Sequence, residues 1–565
     1  MSVPTEIPAR SRSDRPAPVP AVVTEPLGGS QLARDVIAGA GVDSWYEPVP
    51  RSAVEWKARL ERVRSGWIDA GGPQLIQGIR PALGLIDAAH SEGARRFDSV
   101  VNGGGVFVTT GQQPGLFGGP IYTWMKALST LALANVLQKS TGIPVAPLFW
   151  AATDDADFEE ARSTLVAVRG GVEVLRIADA PPEGTPMTDV PLGDLTSLLD
   201  ALMRGAGSAT SAHYLEVTRE AYEPARKSGK ERTVGSAFVH LLRAILEPMG
   251  IVVLDASHRS VRGTVLPIAR KALMRAREIA DALERRTTDI ERAGYAAQVA
   301  ELSDLSLVFA RTDGRRQRVP VESASEMATA CAGDGNPCDL SPNVLLRPVA
   351  ERAIFGSAAY VGGPGEIAYF AQVQPVAEAL GLATPAIVPR WSASIIEPHV
   401  ARILERYGLD VDDLRDPHAV ETRIAREEMP HGVRTSLASL REEIDRGVAT
   451  LMQPDATDAP LLHARVIEGH RRALQHRLDR LERRYRAAVK RRLSDRLDDI
   501  ATARGALFPR GMRQERALNL IPLLARHGKG LMSAMLACAS EHAERVVNGG
   551  RRAHVATKDA SANHR

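Results

Sequence analysis

Asp155 and Asp157 lie in the run Asp154-Asp155-Ala156-Asp157, directly after the apolar stretch 145–152. A carboxylate at the end of a buried strand can take a proton from an amine nucleophile, or hold Mg2+ against nucleotide phosphates. Glu159 and Glu160, just beyond, read instead as the acidic first turn of a helix, favoured by the helix dipole. A glycine-rich turn, 111–120, follows the apolar stretch 106–110 and precedes an amphipathic segment. Its Gln112 and Gln113 offer amide donors and acceptors, and Gly115 would let a ligand approach the backbone. Free N–H groups at the helix start at Pro120 favour a phosphate or carboxylate. The turn matches neither the dinucleotide fingerprint nor the P-loop pattern, so tight packing is the competing reading. Lys126, within two helical turns of Pro120, is a candidate substrate contact or a packing residue.

A second glycine-rich constellation holds Tyr360, Gly362, Gly363 and Glu366, preceded by Arg347 in 343–348. Arg390 follows the apolar stretch 386–388. An arginine fork suits a carboxylate or phosphate, and a structural ion pair is the alternative for both arginines. Cys331 and Cys338 lack a second Cys/His pair at zinc spacing, and no HExxH occurs, so no metal site is expected among these residues.

These groups need elements to carry them. Apolar stretches at 106–110, 145–152, 251–254, 359–361 and 386–388 alternate with helical patterns, and polar loops follow each stretch. That alternation predicts an α/β fold with a parallel sheet. Four of the loops, bearing Gln112 and Gln113, Asp155 and Asp157, Tyr360 to Glu366, and Arg390, should meet at one sheet edge, where such folds bind ligands. About a hundred residues separate the second strand from the third, and the third from the fourth, far more than the dozen or so a crossover requires. Residues 165–230 and 285–345 therefore read as insertions on a core spanning 29–396. The Pro-rich stretch 1–28 reads as a disordered tail without a secretory h-region, and 548–565 as a flexible basic tail. Residues 397–547 form a helical arm with a return helix. Leu474, Leu478, Leu481, Tyr485, Val489, Leu493, Leu497 and Ile500 make one stripe at about 3.7 residues per step, as in a straight or slightly right-handed pair of helices. The stretch 414–452 is its antiparallel partner, with a turn at 452–460.

The chain has 565 residues, 71 basic against 68 acidic, a net charge of +3, and 44% hydrophobic residues. That is globular composition without an electrostatic signal for nucleic acid or membrane. The Arg-rich face of 465–496 is interrupted by Glu468, Asp479 and Glu482 and reads as a solvated surface. No run of about 18 apolar residues occurs. Three cysteines exclude a disulfide framework and fit a reducing cytoplasm.

Taken together, the motifs resemble the BshC family, the cysteine ligases of bacillithiol biosynthesis. Five blocks carry the resemblance in order: 110–117 with Gly119, Pro120, Tyr122 and Lys126; Phe149-Trp150-Ala151 with Asp155, Asp157, Phe158 and Glu159; 340–348 with 360–369; Pro389-Arg390 with Glu397; and 507–511 with Gln514-Glu515-Arg516 and Asn519. The resemblance implies a Rossmann-like core with two inserted connecting segments and a coiled-coil arm that pairs subunits into a homodimer. It implies that cysteine is joined to the amino group of glucosaminyl-malate. Amide formation from a carboxylate is uphill, so the cysteine would be activated, most simply by ATP. One departure stands out: the family's acidic block reads Glu-Asp-His-Asp, and here Ala156 replaces the His. Asp155 or Asp157 then takes the base role, or the His was never the base, or the acceptor differs, or activity is lost. The alternatives are an ATP-dependent ligase or nucleotidyl-type enzyme of this fold with another amine acceptor, and a non-catalytic nucleotide- or sugar-binding protein.

Overall fold

The structure, a computed structural model, describes residues 19–85, 91–223, 232–300, 303–332, 338–416, 418–453 and 462–550. Twelve strands occur among them. They are β1 (Ala21–Thr24), β2 (Val106–Gln112), β3 (Val145–Ala151), β4 (Ser163–Val168), β5 (Gly171–Arg176) and β6 (Val252–Asp255), then β7 (Leu305–Thr312), β8 (Arg315–Pro320), β9 (Leu340–Pro342), β10 (Ser357–Gly362), β11 (Ala386–Pro389) and β12 (Ala393–Ile396). Five of them form a parallel sheet in the order β11-β10-β2-β3-β6. These are the five apolar stretches of the sequence. β3 and β10 are buried along their whole length and β2 up to its last residue, as expected of parallel strands covered on both faces.

Helices supply the cover. Ile121–Thr141 connects β2 to β3 and is buried on nearly every side, packed against the sheet and the last helix, Ile521–Val547. Pro364–Leu380 connects β10 to β11. Residues 165–230 hold most of the β4–β5 hairpin and the helices Thr196–Ala206 and Ala212–Tyr222. Residues 285–345 hold the antiparallel sheet β8-β7-β9.

Several expectations are corrected. The stretch taken as a tail contains β1, which pairs antiparallel with β12, Ala21 opposite Ile396 and Thr24 opposite Ala393. The Thr24 hydroxyl also accepts the Trp391 indole N–H at 3.0 Å. The rest of that tail, 1–18, lies outside the described residues, as do 551–565 of the C-terminal one. Cys331 and Cys338 form a disulfide, with Cα atoms 5.5 Å apart. One short loop closed this way is not a framework, but it removes both sulfurs as thiolate ligands.

The chain divides into two compact units. The first comprises Met1–Val166, Val174–Glu397 and Gln514–Arg565; the second comprises Ala167–Glu173 and Pro398–Arg513. The return helix expected as part of the arm thus belongs with the sheet. Within the second unit, His431–Leu451 and Ala464–Arg492 pack together around Met429, Leu437 and Leu478. Arg441 bonds Asp479 and Glu482 while Asp445 bonds Arg471 and Gln475, so the two helices run antiparallel. Of the turn expected between them, 454–460 lies outside the described residues. The stripe does not ride on one helix. Leu493 leaves helical geometry (φ −105°, ψ 23°), and Ser494–Leu507 starts anew with Asp495 in its first turn. A carboxylate there favours a fresh N-terminus.

Candidate active site

The carboxyl ends of β2, β3 and β10 open onto a cavity of about 670 Å³ within the first unit. Gln112 and Gln113 reach it from the end of β2, and Asp155 from the loop after β3. Gly363 and Glu366 come from the start of the helix after β10, and Arg390 from the end of β11. Lys126 and Arg347 complete the expected residues that line it.

Their bonds form two linked groups. Lys126, buried, pairs with Glu366 at 2.7 Å and donates to the Gly111 carbonyl and to Gln112 Oε1 (3.1 Å). Glu366 also accepts the Gly363 N–H (2.7 Å) and the Tyr360 hydroxyl (2.6 Å). Arg347 donates to the hydroxyls of Tyr360 (3.1 Å) and Tyr369 (3.5 Å) and lies 3.3 Å from Glu351. On the other side, Gln113 donates to Asp155 Oδ2 (3.1 Å), whose Oδ1 accepts the Asp157 N–H (3.0 Å). Gln112 donates to the Tyr122 hydroxyl (3.1 Å), which lies 3.4 Å from Glu160.

Some predicted residues lie elsewhere. Asp157 caps the helix Phe158–Ala161 by accepting the Glu160 N–H at 3.1 Å and does not line the cavity. Tyr360 is wholly buried behind it, positioning Arg347 and Glu366. Gly362 is packed rather than cavity-facing, since a Cβ there would meet the end of the Ile387 side chain at 2.6 Å and the Glu366 Cβ at 3.2 Å. Gly115 has φ −137°, and a Cβ would fall 2.6 Å from the Gly119 Cα, so glycine serves a chain-to-chain approach. Gly363, also at negative φ (−79°), does face the cavity. The helix start at Pro120 is closed to a ligand, because the Ile121 N–H donates to the Leu518 carbonyl at 2.9 Å. Asn519 holds that turn, its amide donating to Phe117 O (3.0 Å), Leu116 O and Gly119 O (both 3.3 Å). Arg390 is committed to a two-bond pair with buried Glu515 (2.8 and 2.7 Å), so it reads as structural as much as substrate-facing.

Other lining residues went unassigned: Tyr122, Asp154, Glu160, Arg316, Asn343 and Arg516. Arg316 arrives on β8, bonds Asp154 (3.4 Å) and the Pro342 carbonyl (3.0 Å), and lies over the Phe309 ring. No local signal in the sequence marks it. Tyr122 and Arg516 stand in the blocks of the family resemblance, which was the signal available for them.

Electrostatics follow from burial. Lys126 is pushed below its ordinary pKa by desolvation, opposed by Glu366. Glu366 is desolvated too, yet Lys126 and the Gly363 N–H hold its carboxyl low. Desolvation raises Asp154 against Arg316. Glu160 is raised by desolvation and by Asp157 and Asp155. Such a cavity can accept a proton on its acidic side and orient hydroxyl or amide groups along its glutamines. A second cavity of about 390 Å³ lies by β11, but its walls are mostly apolar and it gathers few of the strand-end polar groups.

The parallel sheet, its strand-end cavity and the helical unit define a Rossmann-like core joined to a coiled-coil module. Residues 25–391 match the family described as "Bacillithiol biosynthesis BshC, N-terminal Rossmann-like domain", and residues 393–546 match "Bacillithiol biosynthesis BshC, C-terminal coiled-coil domain". The chain belongs to the BshC family. A relative from Solibacter usitatus is 31% identical over 76% of this chain and 81% of its own length. One from Koribacter versatilis is 31% identical over 79% and 84%, and one from Symbiobacterium thermophilum 28% over 91% and 97%. All three carry the name "Putative cysteine ligase BshC", and the chain is accordingly a ligase of bacillithiol biosynthesis. Among the described residues no helix is long and apolar enough to cross a membrane.

Proposed function

We propose that the cavity joins the carboxyl group of cysteine to the amine of glucosaminyl-malate, in the cytoplasm, with ATP activating the carboxylate. The observation that carries this reading is the convergence of strand-end loops from Gln112 to Arg390 on one cavity, with Asp155 in its wall, in a chain of this family. A neutral amine that attacks an activated carboxyl must give up one of its protons to become an amide nitrogen. Asp155, held by Gln113 and the Asp157 N–H, accepts that proton as the C–N bond forms and the activating phosphate or nucleotide leaves. Ala156 is then no defect, since the adjacent carboxylate takes the role. Among the described residues no three His, Cys, Asp or Glu gather to hold a metal. Mg2+ would enter on the nucleotide phosphates. Asp155→Asn keeps the shape and removes the base. Activity should fall about 10²–10⁴-fold without a change in melting temperature, and a loss below about tenfold would reject the assignment.

The protein would work as a homodimer through its arm. Leu440, Val466, Leu474, Leu481 and Tyr485 are more than 40% exposed there, and apolar stripes of this kind find a partner. Leu474→Asp with Leu481→Asp should halve the mass in light scattering. An unchanged mass removes the arm as the interface.

A further inference from the structure

Five cations line the cavity: Lys126, Arg316, Arg347, Arg390 and Arg516. Four already have a carboxylate. Lys126 pairs with Glu366, Arg316 with Asp154, Arg347 with Glu351, and Arg390 with Glu515. Arg516, exposed at the rim, has neither an ion pair nor a hydrogen bond among the described residues. Arg516 is therefore the lining cation left without a carboxylate of its own among the described residues. It is not isolated. Arg516 lies close enough to Tyr122 that it pulls back a phenol raised by burial and by Glu160. From Tyr122 a line of polar side chains runs through Gln112 and Gln113 (3.5 Å apart) to Asp155. A cation thus stands at one end of the line, hydroxyl-matching amides in the middle, and the candidate base at the other end.

This layout fits an amine acceptor bearing a carboxylate that persists through the reaction. The carboxylate of cysteine does not qualify, because it is the group consumed in forming the amide. We infer that Arg516 anchors a carboxylate of the amine acceptor, with the acceptor's hydroxyls on Gln112 and Gln113 and its amine at Asp155. Arg516 is then what separates a carboxylate-bearing amino sugar from a plain one. The inference rests on the reading of the cavity as the site of amide formation.

The test compares glucosaminyl-malate with methyl glucosaminide, which keeps an amine and hydroxyls but lacks carboxylates. Each is titrated calorimetrically into the full-length wild type, Arg516→Ala and Arg516→Lys. Wild type should bind the conjugate about tenfold or more tightly than the glucosaminide, the scale of a charge-assisted contact. Arg516→Ala should lose that preference while binding the glucosaminide unchanged, and Arg516→Lys should keep part of it. Cysteine and ATP, titrated in parallel, should bind both variants like wild type. The inference is overturned if Arg516→Ala keeps the preference, if wild type has none, or if the loss falls on ATP or cysteine instead. If the preference is present and lost in Arg516→Ala but wild type forms no amide, the inference stands and the cysteine-adding reading fails. Arg516 is exposed and unpartnered, so its removal should leave the melting temperature unchanged.

Discussion

Arg390–Glu515 in the sheet-bearing unit and Arg441–Asp479 in the helical unit are ion pairs of nearly equal length, 2.7 and 2.8 Å. The side chains of the first are 1% and 3% exposed, those of the second 39% and 47%. The helices differ in the same way. Ile121–Thr141 is covered almost all round, whereas Ala464–Arg492, 29 residues long, has only Leu478 buried. One unit closes its own core. In the other, the paired helices His431–Leu451 and Ala464–Arg492 meet over a small cluster of Met429, Leu437 and Leu478, beneath a surface of charges. Equal geometry therefore carries unequal weight: a desolvated charge cannot lose its partner cheaply, while water replaces the partner of an exposed one.

The largest break of this contrast is Glu515→Ala. It strands the Arg390 guanidinium in the core and should cost about 3–5 kcal/mol in denaturant unfolding, and a cost under about 1 kcal/mol would mean the pair is not desolvated as described. Next is Leu478→Ala, which should cost about 2 kcal/mol, the low end for a buried leucine, because so small a cluster can collapse. Hydrogen exchange should speed up in 431–451 and 464–492 and stay unchanged in β2 and β3; equal effects in both would dissolve the distinction.

The pH response should also divide the units. Burial raises the Glu351 carboxyl to about 7 despite Arg347, and the Glu247 carboxyl to about 7 despite Arg243. The folded form holds these protons more tightly than the unfolded one, so this contribution is full below about pH 4.5 and is lost as pH rises through about 7. Glu351→Gln should flatten the fall in stability between about pH 5 and 8. In the arm, Lys490 and Arg504 hold Glu421 low against its desolvation, so its contribution is instead lost as pH falls below the ordinary carboxylate range. The same slope in both units would contradict these assignments. The smallest effect is Arg441→Ala, at most about 1 kcal/mol, and it should vanish in about 1 M salt.

What was legible in the sequence follows the same division. The five parallel strands were readable because strands covered on both faces are continuous apolar runs closed by polar loops, as at Val145–Ala151 before Asp154. β1 was not, because its half-exposed residues at 21–24 acquire meaning only beside β12, some 370 positions away. The cavity was half readable. Residues at strand ends, such as Gln113 and Asp155, are fixed by topology. Arg316 meets Asp154 across 162 residues through an inserted sheet, and nothing near it in the chain announces that meeting. Asp157 and Gly115 were over-read, since helix capping and close packing favour the same residue types as ligand binding.

Asn519 reaches back about 400 positions to hold the turn after β2, and Glu515 and Arg516 lie beside it in the chain. On a ribosome adding about 5–20 residues per second, β2 emerges roughly 20–80 s before the residues that lock its turn. Through that interval the glycine-rich turn lacks its clamp, and Arg390, once made, waits 125 positions for its carboxylate. A polypeptide whose synthesis stops inside the helical arm would hold all five strands of the sheet and most of the cavity wall, yet would lack the Glu515 carboxylate and the Asn519 clamp. Activity is thereby tied to translation running past Asn519, and prematurely terminated chains should be left open to proteolysis rather than released as partly working enzyme.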